Sequence, residues 1–241
     1  MELQDKVALV TGGAQRIGRG LVLALAKAGC HIVLHYNNST DAAQKTAEEA
    51  RAEGVEVITL QADLSHPVEA ANLIATVALE LGSVQILINN AAIFPKDTLL
   101  DLSPEAWENS MRINLISPLF LTQAFARALP QKDSGAVINI TDCRTLRPNH
   151  FSYSMSKEGL NHFTLVAAAT LAPRIRVNGI ALGAMLPPPG GDEKYMIQRA
   201  TQLPLQRVGG FEPVAQAMLY LLQNDFVTGE IIRLDGGDHL S

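Results

Sequence analysis

Tyr153-Ser-Met-Ser-Lys157 holds a phenol and an amine four positions apart. On a helix that spacing puts both side chains on one face, one turn apart. An ammonium beside a phenol favours phenolate, so the phenol can trade a proton near neutral pH. Any helix with an exposed lysine can show the same pattern, so its weight depends on what precedes it. Val137 to Thr141 (VINIT) has the apolar, β-branched pattern of a buried strand, and Asp142 stands where that strand ends. In open α/β sheets, ligands bind just outside the carboxyl ends of the strands. A carboxylate, a phenol and an amine are therefore expected at one rim. A strand, a loop and a helix over Phe151 to Leu171 deliver them.

A second group of residues has the pattern of a nucleotide site. Lys6 to Thr11 (KVALVT) reads as a buried strand, and Thr11-Gly12-Gly13-Ala14-Gln15-Arg16-Ile17-Gly18 follows it. A helix then runs to about Ala28, and Gly29 ends it. Strand, glycine turn and helix start together form the context of a dinucleotide site. Glycines let the backbone approach a pyrophosphate, and the helix N-terminus attracts its charge. Gly12, Gln15, Arg16, Ile17 and Gly18 are the candidates there. His31 to Tyr36 is the second strand. A carboxylate at its tip would bind free ribose hydroxyls and select NAD. Here the tip reads Tyr36-Asn37-Asn38-Ser39-Thr40, with no acid before Asp41. Neutral hydrogen-bond donors there suit a 2′-phosphate, so NADP(H) is the expected cofactor.

The elements that must carry these residues follow in order. Thr40 is expected to cap a charged helix from Asp41 to Glu53. Val55 to Gln61 is a third strand, with Asp63-Leu64 beyond it where an adenine would lie. Pro67 to Leu81 is a helix, its proline near the first turn. Val84 to Ile88 is a fourth strand ending in Asn89-Asn90-Ala91-Ala92, small enough to admit a ribose near the backbone. Pro104 to Leu129 reads as one long helix, and its Asn114, taken alone, reads as a satisfied core polar group. Ile175 to Ile180 is a further strand. Leu182 to Glu193 contains Pro187 to Pro189 and Gly190-Gly191, too rich in breakers for a regular element. It is expected to open a substrate loop over about 182–210, with Gly183 on the cofactor side and Leu186 on the substrate side. Pro213 to Gln223 is the last helix, and Glu230 to Leu234 the last strand. The whole, 1–241, reads as one doubly wound α/β domain of Rossmann type, with a mostly parallel seven-stranded sheet flanked by helices.

Composition narrows the classes. The chain has 241 residues, 47% hydrophobic and 18% charged, enough for a sizeable core. A formal charge of −5 without a long Lys/Arg run argues against nucleic acid as partner. Cys30 and Cys143 form neither a disulfide framework nor a zinc pattern, so no metal is expected. The start, MELQDKVALV, lacks the basic opening and long apolar core of a signal peptide. No 18-residue apolar span occurs, so no membrane helix is expected and a cytoplasmic location is. Val166 to Leu171 is apolar on more than one helix face, which predicts a homo-oligomer.

The chain resembles the short-chain dehydrogenase/reductases over nearly its whole length. The resemblance rests on Thr11-Gly12 through Gly18, Asp63-Leu64, Asn89-Asn90-Ala91-Ala92, Asn114, Tyr153 with Lys157, Arg176-Val177-Asn178 and Asp235-Gly236-Gly237, in that order. It implies that Tyr153 is the proton donor, and that Lys157 binds the nicotinamide ribose and lowers the Tyr153 pKa. It also implies that Asn114 holds a water linking Lys157 to solvent, and that the assembly is a homotetramer. Three positions depart from the family's usual pattern: Arg16 stands for Gly, Asp142 for the catalytic Ser, and Leu182-Gly183 for Pro-Gly. The first two, with Phe94 soon after Asn-Asn-Ala and the prolines of the substrate loop, resemble the pteridine reductase branch, which includes dihydromonapterin reductases. That branch implies a pterin lying between nicotinamide and Phe94, near Arg16, Asp142, Tyr153 and Leu186. Hydride would reach a C=N bond of a dihydropterin, with protonation through Tyr153 and Asp142. A reductase of 3-oxoacyl or other ketones is the alternative, which Asp142 opposes because a carboxylate repels a developing alkoxide. A non-catalytic NADPH-binding sensor is another, and the joint presence of Tyr153, Lys157 and Asn114 argues against it.

Overall fold

The computed structural model describes residues 1–144, 146–187 and 193–240. Strands β1 (Val7–Val10), β2 (His31–Tyr36), β3 (Val57–Gln61), β4 (Ile86–Asn89), β5 (Gly135–Asp142), β6 (Ile175–Leu182) and β7 (Ile231–Leu234) form one sheet. Its order is β3-β2-β1-β4-β5-β6-β7. Every neighbouring pair is parallel, so the sheet is wholly rather than mostly parallel. Both faces are covered, as parallel sheets require. Side chains alternate along β1: Ala8 and Val10 join one core with helices α1 (Arg16–Lys27) and α2 (Thr40–Arg51). Val7 and Leu9 join the other, with α3 (Pro67–Glu80). The strand order reverses between β1 and β4, which opens a crevice at their carboxyl ends.

Several local expectations are corrected. Thr40 does not cap α2; it is the first helical residue, and Ser39 takes the cap position without a side-chain cap bond. The expected helix from Pro104 to Leu129 is three pieces: α4 (Pro104–Met111), a π-helical turn at Arg112–Ile116, and α5 (Ser117–Ala128). Pro118 is the cause on physical grounds. It has no N–H for the Asn114 carbonyl four residues back, and its ring crowds that carbonyl. A π turn widens the register there. The catalytic-helix candidate, α6, spans Phe151–Leu171 as read. The stretch over about 182–210, expected as a loop, contains an unforeseen helix, α7 (Glu193–Ala200), in the breaker-free part after the glycines. Pro188, Pro189, Gly190 and Gly191 lie outside the described residues. A last helix, α8 (Glu212–Gln223), packs against α1. No helix among the described residues is long and apolar enough to cross a membrane.

Candidate active site

A cavity of about 580 Å³ occupies the crevice. Gly12, Gln15, Arg16, Ile17 and Gly18 line one end, and Asn37, Asn38, Ser39, Asp63 and Leu64 continue the wall. Asn90, Ala91, Ala92, Phe94, Asp142, Tyr153, Lys157, Gly183 and Leu186 complete it. Tyr36 is a correction. Its side chain is packed in the core, and the cavity wall at that strand is His35 and Asn37 instead. Strand alternation explains the swap, since neighbours along β2 point to opposite faces.

The glycine turn is built for close approach. Gly12 sits at φ 63, in the left-handed region, and a Cβ there would lie 3.1 Å from the Ala91 Cα. A Cβ on Gly18 would lie 1.9 Å from the Gly12 carbonyl oxygen. His35 fixes the turn from below: its Nδ1 accepts from the Gly12 N–H at 3.1 Å, and its Nε2 faces the Ala62 carbonyl at 3.1 Å. Burial pushes the imidazole pKa down to about 4, so it is the neutral ring that braces the turn. Arg16 also has positive φ, 56, at the position where the resembled family uses glycine. Its guanidinium donates to the Pro187 carbonyl at 2.6 Å and so ties the glycine turn to the stretch that follows β6. Backbone exposed by glycine, small residues at Ala91 and Ala92, and a carboxylate-free tip at 37–39 fit a dinucleotide bearing a 2′-phosphate. Thr141 borders the cavity, and its hydroxyl is buried without a partner among the described residues.

The reacting end is tightly connected. Tyr153 Oη donates to Asp142 Oδ2 at 2.9 Å. Lys157 Nζ donates to the Ile140 carbonyl at 2.8 Å and lies 5.9 Å from the Tyr153 ring centroid. Burial, and then the Asp142 charge, push the phenol well above its usual pKa. In this geometry Lys157 does not lower it as expected, because the ammonium points at a carbonyl rather than the phenol oxygen. Burial brings Lys157 itself down to about 8. Asn114 is fully buried on the π turn and does not line the cavity. It accepts from the Ile93 N–H at 2.9 Å and donates to the Ile93 carbonyl and to Ser156 Oγ, both at 3.0 Å. It thereby bolts the loop after β4 to α6.

Arg147, His150 and Asp97 at the site were not foreseen, nor were the contacts that hold the expected Phe94. Arg147 Nη2 reaches both Asp142 oxygens at 2.9 Å. Phe94 is 49% exposed and stacks on His150, centroids 3.8 Å apart and planes at 16°. It meets the Tyr153 ring edge-on at 4.5 Å. His150 Nδ1 bonds the Pro95 carbonyl at 2.6 Å. Asp97, also buried, accepts from the Ser152 N–H at 3.0 Å and from the Ser152 hydroxyl, so a distant carboxylate caps α6 just before Tyr153. The links from Phe94, Pro95 and Asp97 cross more than fifty positions, and the one from Arg147 to Asp142 lies within an irregular loop, so no local periodicity announces them. Histidine following Arg-Pro-Asn within the catalytic segment was the one visible signal.

Comparisons agree with this geometry. Residues 6–193 match the family described as short chain dehydrogenase. A 3-oxoacyl-[acyl-carrier-protein] reductase FabG of Staphylococcus epidermidis is 31% identical, over 98% of this chain and all of its own length. Among solved structures, FolM alternative dihydrofolate reductase 1 from Brucella canis, complexed with NADP, superposes with a TM-score of 0.95. It is 35% identical over all of this chain and 96% of that one. A blue fluorescent protein from a metagenomic library, in complex with NADPH, superposes at 0.90 with 30% identity over 99% of both chains. With the fold, the cavity and the match over most of its length, the chain belongs to the short-chain dehydrogenase family.

Proposed function

We propose that the protein is an NADPH-dependent pteridine reductase that converts a dihydropterin to a tetrahydropterin. The cofactor is NADP(H), which supplies a hydride when bound. Gly12, Gln15, Arg16, Ile17 and Gly18 hold its phosphates, and Asn37, Asn38 and Ser39 its 2′-phosphate. Asp63 and Leu64 flank the adenine, and Asn90, Ala91, Ala92, Lys157 and Gly183 the nicotinamide half. Phe94, Arg16 and Leu186 wall the substrate. Asn114 acts through Ile93 and Ser156. The working assembly is a homotetramer.

The observation that carries this reading is Asp142 at 2.9 Å from the Tyr153 oxygen. Reducing a C=N bond draws a proton onto nitrogen and builds positive charge, which an adjacent carboxylate stabilises. Reducing a ketone builds negative charge on oxygen, which the same carboxylate opposes. Tyr153, held protonated, supplies the proton. Similarity to the Brucella protein supports the pterin reading. The FabG relatives favour a second one, reduction of a 3-oxoacyl thioester by the same Tyr153 and Lys157.

NADPH oxidation with a dihydropterin, with an acetoacetyl thioester and with neither separates the two. Turnover of the dihydropterin is expected, with Phe94→Ala raising its KM while NADPH affinity holds. Turnover of the thioester alone would replace the first reading with the second.

A further inference from the structure

The Asp142 carboxylate is saturated. The Arg144 N–H donates to Oδ1 at 2.7 Å, and Tyr153 Oη to Oδ2 at 2.9 Å. Arg147 Nη2 lies 2.9 Å from each oxygen. An ionised carboxylate offers about four acceptor positions, and these contacts fill them. A proton on Oδ1 would face the Arg144 N–H, and one on Oδ2 would turn the Tyr153 hydroxyl from donor to acceptor; on either oxygen it would cancel the charge that the Arg147 guanidinium pairs with. Arg147 is itself confined. Its guanidinium carbon lies 5.6 Å from the centroid of Phe94, which is braced in turn by His150. The clamp therefore stands behind Asp142 and Phe94, which line the cavity, and is not a passing surface pair.

We infer that Arg147 is a positioning residue that holds Asp142 as a pure acceptor, so that Tyr153 alone protonates the substrate and the site reduces dihydropterins but not fully oxidised pterins. This rests on the pteridine reading. In the reaction the C=N nitrogen draws the Tyr153 proton, the electron pair of the π bond becomes the new N–H bond, and the carbon gains the hydride. The reduced nicotinamide is thereby oxidised, and Tyr153 is left to be reprotonated from solvent. A dihydropterin has one such bond left in its pyrazine ring. A fully oxidised pterin has two, with nitrogens on opposite sides of that ring, and its first reduction needs a donor at a second place. Asp142 is the acid near enough to be that donor, and Arg147 withholds it.

The test compares the parent full-length chain with Arg147→Gln and Arg147→Lys on a dihydropterin and on the matching oxidised pterin, with NADPH. The parent is expected to favour the dihydropterin in kcat/KM by roughly 100-fold, the lower end of what a positioned proton donor contributes. Arg147→Gln should narrow that ratio by about tenfold, and Arg147→Lys should keep it. A second readout needs no substrate. Infrared difference spectra in mildly acidic buffer should show a protonated-carboxyl band in Arg147→Gln. The parent, and Arg147→Gln carrying Asp142→Asn, should lack it. Equal use of both pterins by the parent overturns the inference, and so does an Arg147→Gln variant with no new band. If neither pterin is turned over and the thioester is, the pteridine reading fails. The infrared band alone then decides whether Arg147 withholds the Asp142 proton.

Discussion

Lys157 is a costly side chain to bury at the site. Its ordinary pKa of 10.5 falls to about 8 through burial, against the opposing pull of Asp142. Between those values the unfolded chain holds a proton that the folded chain does not, so this residue's contribution to stability rises with pH across that window. Below about 8 the folded protein carries the full penalty, on the order of 3 kcal/mol. Lys157→Met should therefore melt above the parent near neutral pH, and the gap should shrink at about pH 10; thermal melts at both pH values check it. Catalysis should run the other way. Tyr153 stays protonated throughout, while Lys157 loses its charge above about 8. The reductive kcat/KM should fall as pH rises through that value, because the charged Lys157 is proposed to hold the nicotinamide half of the cofactor, and a profile flat to pH 10 would contradict that role. The Tyr153–Lys157 pair was legible because helix spacing is a local property. Arg147 was not, because its partner is fixed by an irregular loop that carries no period.

Helix α6 positions the chemistry, and its start is set from outside. Asp97 caps it through Ser152, and the Asp97 N–H donates to the Asn149 carbonyl at 3.2 Å. Asp97→Ala should cost about 1–2 kcal/mol, the usual loss for a helix cap. It should also lower kcat more than it weakens NADPH binding, because Tyr153 follows the cap directly. Asp97→Asn, which keeps an acceptor, should recover most of both. Melting curves, nucleotide fluorescence titration and steady-state rates separate these effects. The limits of β2 and α6 were readable to the residue, since glycine, proline and β-branched runs mark them. The π turn was not, because it depends on how one proline meets the carbonyl of Asn114. Helix α7 was hidden by the breakers just before it.

At the scale of the molecule, alternation of strand and helix patterns was enough to read a doubly wound sheet. Parallel strands leave few other ways to cover two faces. The surface carries a further expectation. Leu165 and Val166 on α6 are 47% and 51% exposed. Apolar residues at that position on the longest helix need a partner surface. Light scattering should give a mass several times the 25.9 kDa of one chain, and Val166→Glu should lower it. A monomeric parent would refute the oligomer. A heavier parent unchanged by Val166→Glu would place the contact elsewhere.

Arg16 carries a lesson for anyone seeking a hardier version of this protein. Its left-handed backbone costs roughly 1 kcal/mol that glycine would avoid, while glycine's looser unfolded chain takes back a similar amount. A heat-challenge screen would therefore pass Arg16→Gly as harmless. The exchange would nonetheless cut the strap from the glycine turn to Pro187. The damage would appear only in turnover, in a variant that survives every selection for robustness.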